Sequence, residues 1–220
     1  SLRIICGMLR TMIYVGVYIG WGISIYKRVI QKSVRNVLIF IAELIIFWFV
    51  VRTTKYFFTM DNQIARYLWY SYYIPMLFIP VAVLQAAFFL GKSEEYRLPK
   101  WLKGVYIPTA VLVLLVLSND LHQLVFSFPV GSAWSDSHYT YGWGYYVVLV
   151  WEVVCALTAF VLMIYKCRHS QKKKYLPLLG IGAAVLYSVL FISGVAWVQE
   201  IGGDITAVLC LFFVGILESC

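Results

Sequence analysis

Seven long apolar runs, separated by short connectors, are the feature that most constrains this chain. Most of them are long enough to cross the hydrocarbon core of a bilayer as a helix, which takes about 20 residues. We number them spans 1 to 7, and they lie at about 4–26, 36–57, 66–91, 104–127, 143–165, 175–199 and 205–218. The sequence therefore predicts an all-α polytopic membrane protein, a seven-transmembrane-helix bundle that forms one domain over residues 1–220.

The charge content supports a membrane protein over a soluble domain. Only 13% of the residues are charged, whereas a soluble domain carries roughly 25%. A charge in hydrocarbon is costly, so a lipid-facing surface excludes it. The runs also lack the ten-residue alternation of barrel strands, which indicates helices.

The basic residues predict the orientation of the bundle. Most of the 18 Lys and Arg residues lie in the connectors 27–35, 92–103 and 166–174, which follow spans 1, 3 and 5. Short basic loops mark the cytoplasmic side of a membrane. We therefore predict an outside N-terminus and a cytoplasmic C-terminus. The net charge of +8 fits this topology without nucleic acid as a partner, and these residues can also attract anionic headgroups of the bilayer.

Ionisable residues inside the spans indicate where a binding site lies, because each needs a partner or a cavity. They are Arg10, Glu43, Arg52, Lys55, Asp120, His122 and Glu152. In the predicted orientation, all but Glu43 fall in the outer half of the membrane, which predicts a polar cavity open to the outside. Helical spacing places Asn119, His122 and Gln123 on one face of span 4.

Aromatic and polar residues near these charges complete the predicted site. Tyr145 and Glu152 are seven residues apart and share a face of span 5. The predicted ligand-binding residues are Arg10, Arg52, Tyr70, Tyr73, Asn119, Asp120, His122, Tyr145, Glu152, Tyr187 and Trp197. We expect a small-molecule ligand whose anionic group pairs with an arginine, or whose cationic group pairs with a carboxylate.

Structural interpretations of the same residues stay open. Arg52 and Lys55 can reach the outer headgroups, and Arg10 with Glu152 or Asp120 can form an ion pair between helices. The aromatic cluster at 67–73 is also typical of an interfacial belt. These alternatives describe a scaffold rather than a receptor.

Several chemistries lack their sequence signatures. The chain has no G-x-S-x-G or H-E-x-x-H motif, no phosphate-binding glycine loop and no metal-type cysteine spacing. Residues 205–220 contain no Lys for a retinal Schiff base. We therefore predict no catalytic residue, no metal and no cofactor.

Two segments resemble the N-terminal 7TM region of bacterial histidine kinases. The first is similar to that family's aromatic-proline segment and consists of Tyr72-Tyr73-Ile74-Pro75-Met76-Leu77-Phe78-Ile79-Pro80. The second is similar to its TNxxHxxxF stretch, with Ser118 in place of Thr, and consists of Ser118-Asn119-Asp120-Leu121-His122-Gln123-Leu124-Val125-Phe126. The end of span 7, at 215–220, resembles the region where the family passes into its cytoplasmic part.

The resemblance implies a sensor module in the bacterial cytoplasmic membrane. It implies a cytoplasmic output domain in the same chain after residue 220, such as a histidine kinase, and by analogy a homodimer. The segment itself is expected not to be an enzyme. A small-solute transporter remains the alternative function, although the sequence offers only Glu43 as an ionisable residue in the cytoplasmic half of a translocation path.

Overall fold

The computed structural model describes residues 2–29, 32–58, 62–130 and 138–166. Most of these residues are helical. The elements in chain order are α1 (Leu2–Arg28), α2 (Lys32–Phe57), α3 (Asn62–Ser71), α4 (Tyr73–Phe89), α5 (Lys100–Gly104), α6 (Tyr106–Leu117), α7 (Asn119–His122), β1 (Phe126–Ser127), β2 (Thr140–Tyr141) and α8 (Trp143–Lys166). Predicted spans 6 and 7, at 175–199 and 205–218, lie outside the described residues.

Five helical stretches are long and apolar enough to cross a membrane. They are Leu2–Arg28, Lys32–Lys55, Gln63–Phe89, Lys100–Leu117 and Trp143–Lys166. Each overlaps one of the predicted spans 1 to 5. The described part of the chain is thus a mostly helical, multi-pass membrane protein.

Helix α4 is the centre of the described bundle. It packs against α2, α6 and α8, while α1 packs on the far side of α2. Every residue from Val81 to Ala87 on α4 is buried, although a helix facing lipid would expose one side. A hydrogen bond between the hydroxyls of Thr11 and Thr53 joins α1 to α2.

Proline positions explain two interruptions of the helices. A proline has no N–H to donate, and its ring clashes with the carbonyl group four residues earlier. The ring of Pro75 excludes a helical position for the Ser71 carbonyl, and α3 ends at Ser71. The ring of Pro108 does the same to the Gly104 carbonyl, and α5 ends at Gly104. Spans 3 and 4 therefore each begin as a short helix followed by a longer one.

The prediction of a helix over 104–127 is wrong beyond Leu117. A turn at Ser118 is followed by the four-residue helix α7, and Gln123 then adopts a left-handed conformation with a φ of 49°. Such a residue ends a helix. The chain continues into β1, which pairs antiparallel with β2. Asn119, His122 and Gln123 therefore do not share one face of a continuous helix, because the backbone changes direction at Gln123.

The described connectors lie at two ends of the bundle, because consecutive membrane-length helices joined by short connectors run in opposite directions. The basic end holds the last turn of α1, the first turn of α2, the connector between α4 and α5, and the last turn of α8. The hairpin end holds the last turn of α2, helix α3, helix α7, the β1–β2 hairpin and the first turn of α8.

Candidate functional site

An ion pair between Arg66 and Asp120 lies at the hairpin end. The Nε and Nη2 atoms of Arg66 donate to Oδ2 of Asp120 at 3.1 and 2.8 Å. The two side chains are 21% and 23% exposed. The pair is thus partly shielded, which strengthens its attraction, yet a solute can still reach it. It joins α3 to α7 across 54 positions of sequence.

The Tyr70 hydroxyl connects this ion pair to the interior. It donates to Oδ1 of Asp120 at 2.7 Å and accepts from Nδ2 of Asn119 at 3.1 Å. The Tyr70 side chain is fully buried. A change at Arg66 or Asp120 therefore has a direct hydrogen-bonded route to Asn119.

Asn119 uses its amide to hold the chain that leaves α7. Its Oδ1 accepts from the backbone N–H groups of Val125 and Phe126 at 3.0 and 2.9 Å, and its Nδ2 donates to the Phe126 carbonyl at 2.9 Å. Together with the bond to Tyr70, both lone pairs and both N–H groups of the amide are used. Asn119 is completely buried, where an unpaired amide would be costly.

His122 stabilises the same turn from its other side. Its Nδ1 accepts from the Leu124 backbone N–H at 3.0 Å, and its Nε2 lies 3.0 Å from the Ser118 hydroxyl. The Ser118 hydroxyl itself donates to the Leu115 carbonyl. The pattern therefore assigns the proton of the neutral ring to Nε2, which donates to Ser118.

An aromatic cluster packs around Phe126 beside this network. Phe126 is fully buried, and the ring centres of Trp69 and Tyr73 lie 4.4 and 5.6 Å from its own. The other rings around it are those of Tyr70, Tyr139, Tyr141 and Tyr145. The aromatic side chains of α3, α4, the hairpin and α8 thus meet on one residue, which fills the centre of the cluster.

The turn at Leu124 approaches the start of α8 very closely. The Gly144 N–H donates to the Leu124 carbonyl at 3.0 Å, and the Gly142 N–H donates to the Val125 carbonyl at 2.9 Å. A Cβ atom on Gly142 would lie 2.0 Å from the Leu124 carbonyl oxygen. Only glycine fits there, so the network held by Asn119 is tied directly to α8.

The structure brings together most of the predicted site residues that it describes. The Tyr70 hydroxyl is hydrogen-bonded to both Asn119 and Asp120, and His122 holds the adjacent turn. Tyr73 and Tyr145 belong to the aromatic cluster. Glu152 lies seven residues after Tyr145, about two turns farther along α8.

Arg10 and Arg52 lie apart from the hydrogen bonds of Asp120. They flank the contact between Thr11 and Thr53, where α1 meets α2. Among the described residues, the ionic partner of Asp120 is Arg66, not Arg10. Tyr187 and Trp197, also predicted for the site, lie outside the described residues.

Residues that the sequence reasoning missed include Arg66, Trp69, Phe126 and Tyr139. Arg66 comes four residues before Tyr70, so the two share a helix face, and this spacing was the available signal. Phe126 ends the family-like stretch but carries no polar atom to mark it as part of a site. In the parts of the chain that the structure describes, no group of three His, Cys, Asp or Glu residues is placed to hold a metal ion.

Comparison with known proteins gives one family. The model described as the N-terminal 7TM region of histidine kinase matches residues 7–217, nearly the whole chain. No curated protein and no solved structure matches the chain. The match is to the membrane region of these kinases and not to a catalytic domain. This chain belongs to the family of N-terminal 7TM regions of histidine kinases.

Proposed function

We propose that the chain is the sensor module of a bacterial signalling protein in the cytoplasmic membrane. It crosses the membrane seven times, with the N-terminus outside and the C-terminus in the cytoplasm. The observation that carries this proposal is the family match over residues 7–217. Five membrane-length helices within the described ranges support it.

The charge at the two ends supports the proposed orientation. Four basic residues flank the junction of α1 and α2 at the basic end, and they are Lys27, Arg28, Lys32 and Arg35. The connector from α4 to α5 adds more, and Lys166 ends α8. Because basic loops stay in the cytoplasm, the basic end is the cytoplasmic one in this proposal, and the hairpin end faces outside.

The signal in this proposal is a small ligand that acts at the hairpin end. A charged group of the ligand competes for one partner of the Arg66–Asp120 pair, which is about one-fifth exposed. Loss of that pair alters the acceptor of the Tyr70 hydroxyl and, through Asn119, the turn tied to α8. The ligand thereby favours one of two helix arrangements, as a ligand with unequal affinity for two states must.

The output lies in the cytoplasm. We propose that span 7 passes the altered helix arrangement to an output domain in the same chain, such as a histidine kinase, and that the protein acts as a homodimer by analogy with such kinases. In this proposal, the sequence of the gene product beyond residue 220 would identify the output domain. That sequence is the first observation to make.

Basal output of the full gene product tests the sensor proposal without a known ligand. Asp120→Asn removes the charge that Arg66 binds while keeping the shape of the side chain. We expect the basal output activity to change at least about threefold at equal membrane expression, because the resting arrangement loses a contact. Glu95→Gln is the matched control, since Glu95 is an exposed carboxylate at the basic end.

Two results would contradict the sensor proposal. One is unchanged basal output in a folded Asp120→Asn protein. The other is substrate flux through the purified chain in liposomes, which would favour the transporter alternative instead.

A further inference from the structure

A second group of interacting side chains lies at the basic end, where α4 and α8 end. The Nζ atom of Lys166 donates a 2.6 Å hydrogen bond to the Phe88 carbonyl and lies 5.8 Å from the centre of the Phe88 ring. The edge of that ring packs against Trp101 of α5, with a centroid distance of 5.7 Å. Lys166 and Trp101 thus contact the same phenylalanine from two different helices.

Lys92 adds a second positive charge at this place. Gly91 has a φ of +69°, a conformation that favours glycine, and it turns the chain where α4 has ended. The Lys92 N–H then donates to the Phe89 carbonyl at 3.1 Å, and its Nζ lies 5.1 Å from the centre of the Tyr96 ring. Lys166 donates to the Phe88 carbonyl and the Lys92 N–H donates to the Phe89 carbonyl, so both lysines lie at the end of α4. An anion bound near both would relieve the repulsion between their charges.

An exposed aromatic side chain lies beside these cations. Trp101 is 62% exposed, whereas the next residue, Leu102, is fully buried. Exposed tryptophan and a cation at the end of a membrane helix are typical of the headgroup level of a bilayer. An anionic phospholipid offers a phosphate to the cations and apolar atoms to Trp101, and a free phosphate would leave Trp101 unused.

We propose that Lys92, Lys166 and Trp101 bind the headgroup of an anionic phospholipid. The net charge of the connector does not carry this proposal, because Glu94 and Glu95 offset part of it. The placement of Lys166 and Lys92 at the end of α4, with the exposed Trp101 packed on the same Phe88 ring that Lys166 contacts, carries it. This binding site goes beyond the sensor function and does not depend on it.

Native mass spectrometry of the purified chain tests the proposal. The protein is released from vesicles of equal parts phosphatidylglycerol and phosphatidylcholine, and the retained lipids are counted. We expect preferential retention of phosphatidylglycerol. The double variant Lys92→Gln/Lys166→Gln should reduce that preference about fivefold for each lysine, the equivalent of about 1 kcal/mol per basic residue.

Matched variants separate a built site from general charge attraction. Lys27→Gln/Lys32→Gln removes two exposed lysines from the last turn of α1 and the first turn of α2, also at the basic end, and should keep the preference. Lys92→Gln alone leaves the bond from Lys166 to Phe88 intact, so it tests the site even if the double variant fails to fold. Equal loss in the control, full retention in Lys92→Gln, or displacement of the lipid by millimolar inorganic phosphate would overturn the proposal.

Discussion

Replacing Asn119 with alanine should loosen the hairpin end more than any other single amide substitution in that segment. The variant removes the partners of three backbone groups, the N–H groups of Val125 and Phe126 and the carbonyl of Phe126. Leaving a buried backbone group without a partner costs about 1–3 kcal/mol. Some water will enter the space left by the amide. We therefore expect the free energy of local opening to fall by about 3 kcal/mol, near the lower bound for three groups.

Hydrogen exchange of the Val125 and Phe126 amides measures this loss locally. A change of about 3 kcal/mol in the free energy of opening accelerates exchange by about 100-fold. The Tyr70 hydroxyl also loses its donor from Asn119, and exchange in α3 should rise by a smaller factor. The experiment needs only the purified chain in detergent micelles.

Gln123→Ala is the matched control for Asn119→Ala. Gln123 is also an amide in this segment, but it is exposed and its Oε1 accepts one bond, from the Phe128 N–H at 3.1 Å. We expect exchange at Val125 and Phe126 to stay within about threefold of the parent chain, because an exposed bond is replaced by water. Equal exchange in Asn119→Ala and Gln123→Ala would refute the role assigned to Asn119.

Two further substitutions test the contacts around Asn119. Gly142→Ala should lower the free energy of unfolding by about 3 kcal/mol or more, because its Cβ would meet the Leu124 carbonyl oxygen at 2.0 Å. Gly104→Ala is the control and should be nearly neutral, since no atom lies within 4 Å of its Cβ. Thermal unfolding of both variants in micelles measures the difference. A double-mutant cycle of Arg66→Met and Asp120→Asn should give a coupling of about 1 kcal/mol, since the pair is only partly shielded; additive effects would show that the pair contributes nothing.

Hydropathy predicted the helices of the described residues well, because lipid-crossing segments must satisfy their backbone groups internally. Each of the first five apolar runs overlaps a membrane-length helical stretch. Pro75 and Pro108 stand four residues after the ends of α3 and α5, so each interruption has a cause in the adjacent sequence. A pattern of local residues was sufficient for these features, since the causes are local.

The end of span 4 was mispredicted for a physical reason that hydropathy does not contain. The apolar residues of this segment predict that the helix continues, and they are Leu121, Leu124, Val125 and Phe126. The Asn119 amide instead binds the backbone N–H groups of Val125 and Phe126, and a short polar side chain of this kind competes with the helical bond pattern. The side chains of Val125 and Phe126 are buried in the aromatic cluster.

Pairing across the sequence was the other missing element. Asp120 and Asn119 were selected from their own chemistry, but nothing in their spacing identifies Arg66, 54 positions away, as the ionic partner. Such a contact depends on how α3 and α7 pack, which a single sequence does not state. Whether the predicted set binds a ligand stays a prediction.

The orientation of the hairpin end tests the account most directly, because a sensor of external signals needs the Arg66–Asp120 pair outside. Thr140→Cys on the exposed hairpin and Glu95→Cys at the basic end can be labelled with a membrane-impermeant maleimide, each against the parent chain with its five native cysteines. We predict additional labelling of Thr140→Cys in intact cells, and of Glu95→Cys only after permeabilisation. Labelling of Glu95→Cys in intact cells, with Thr140→Cys protected, would contradict the account.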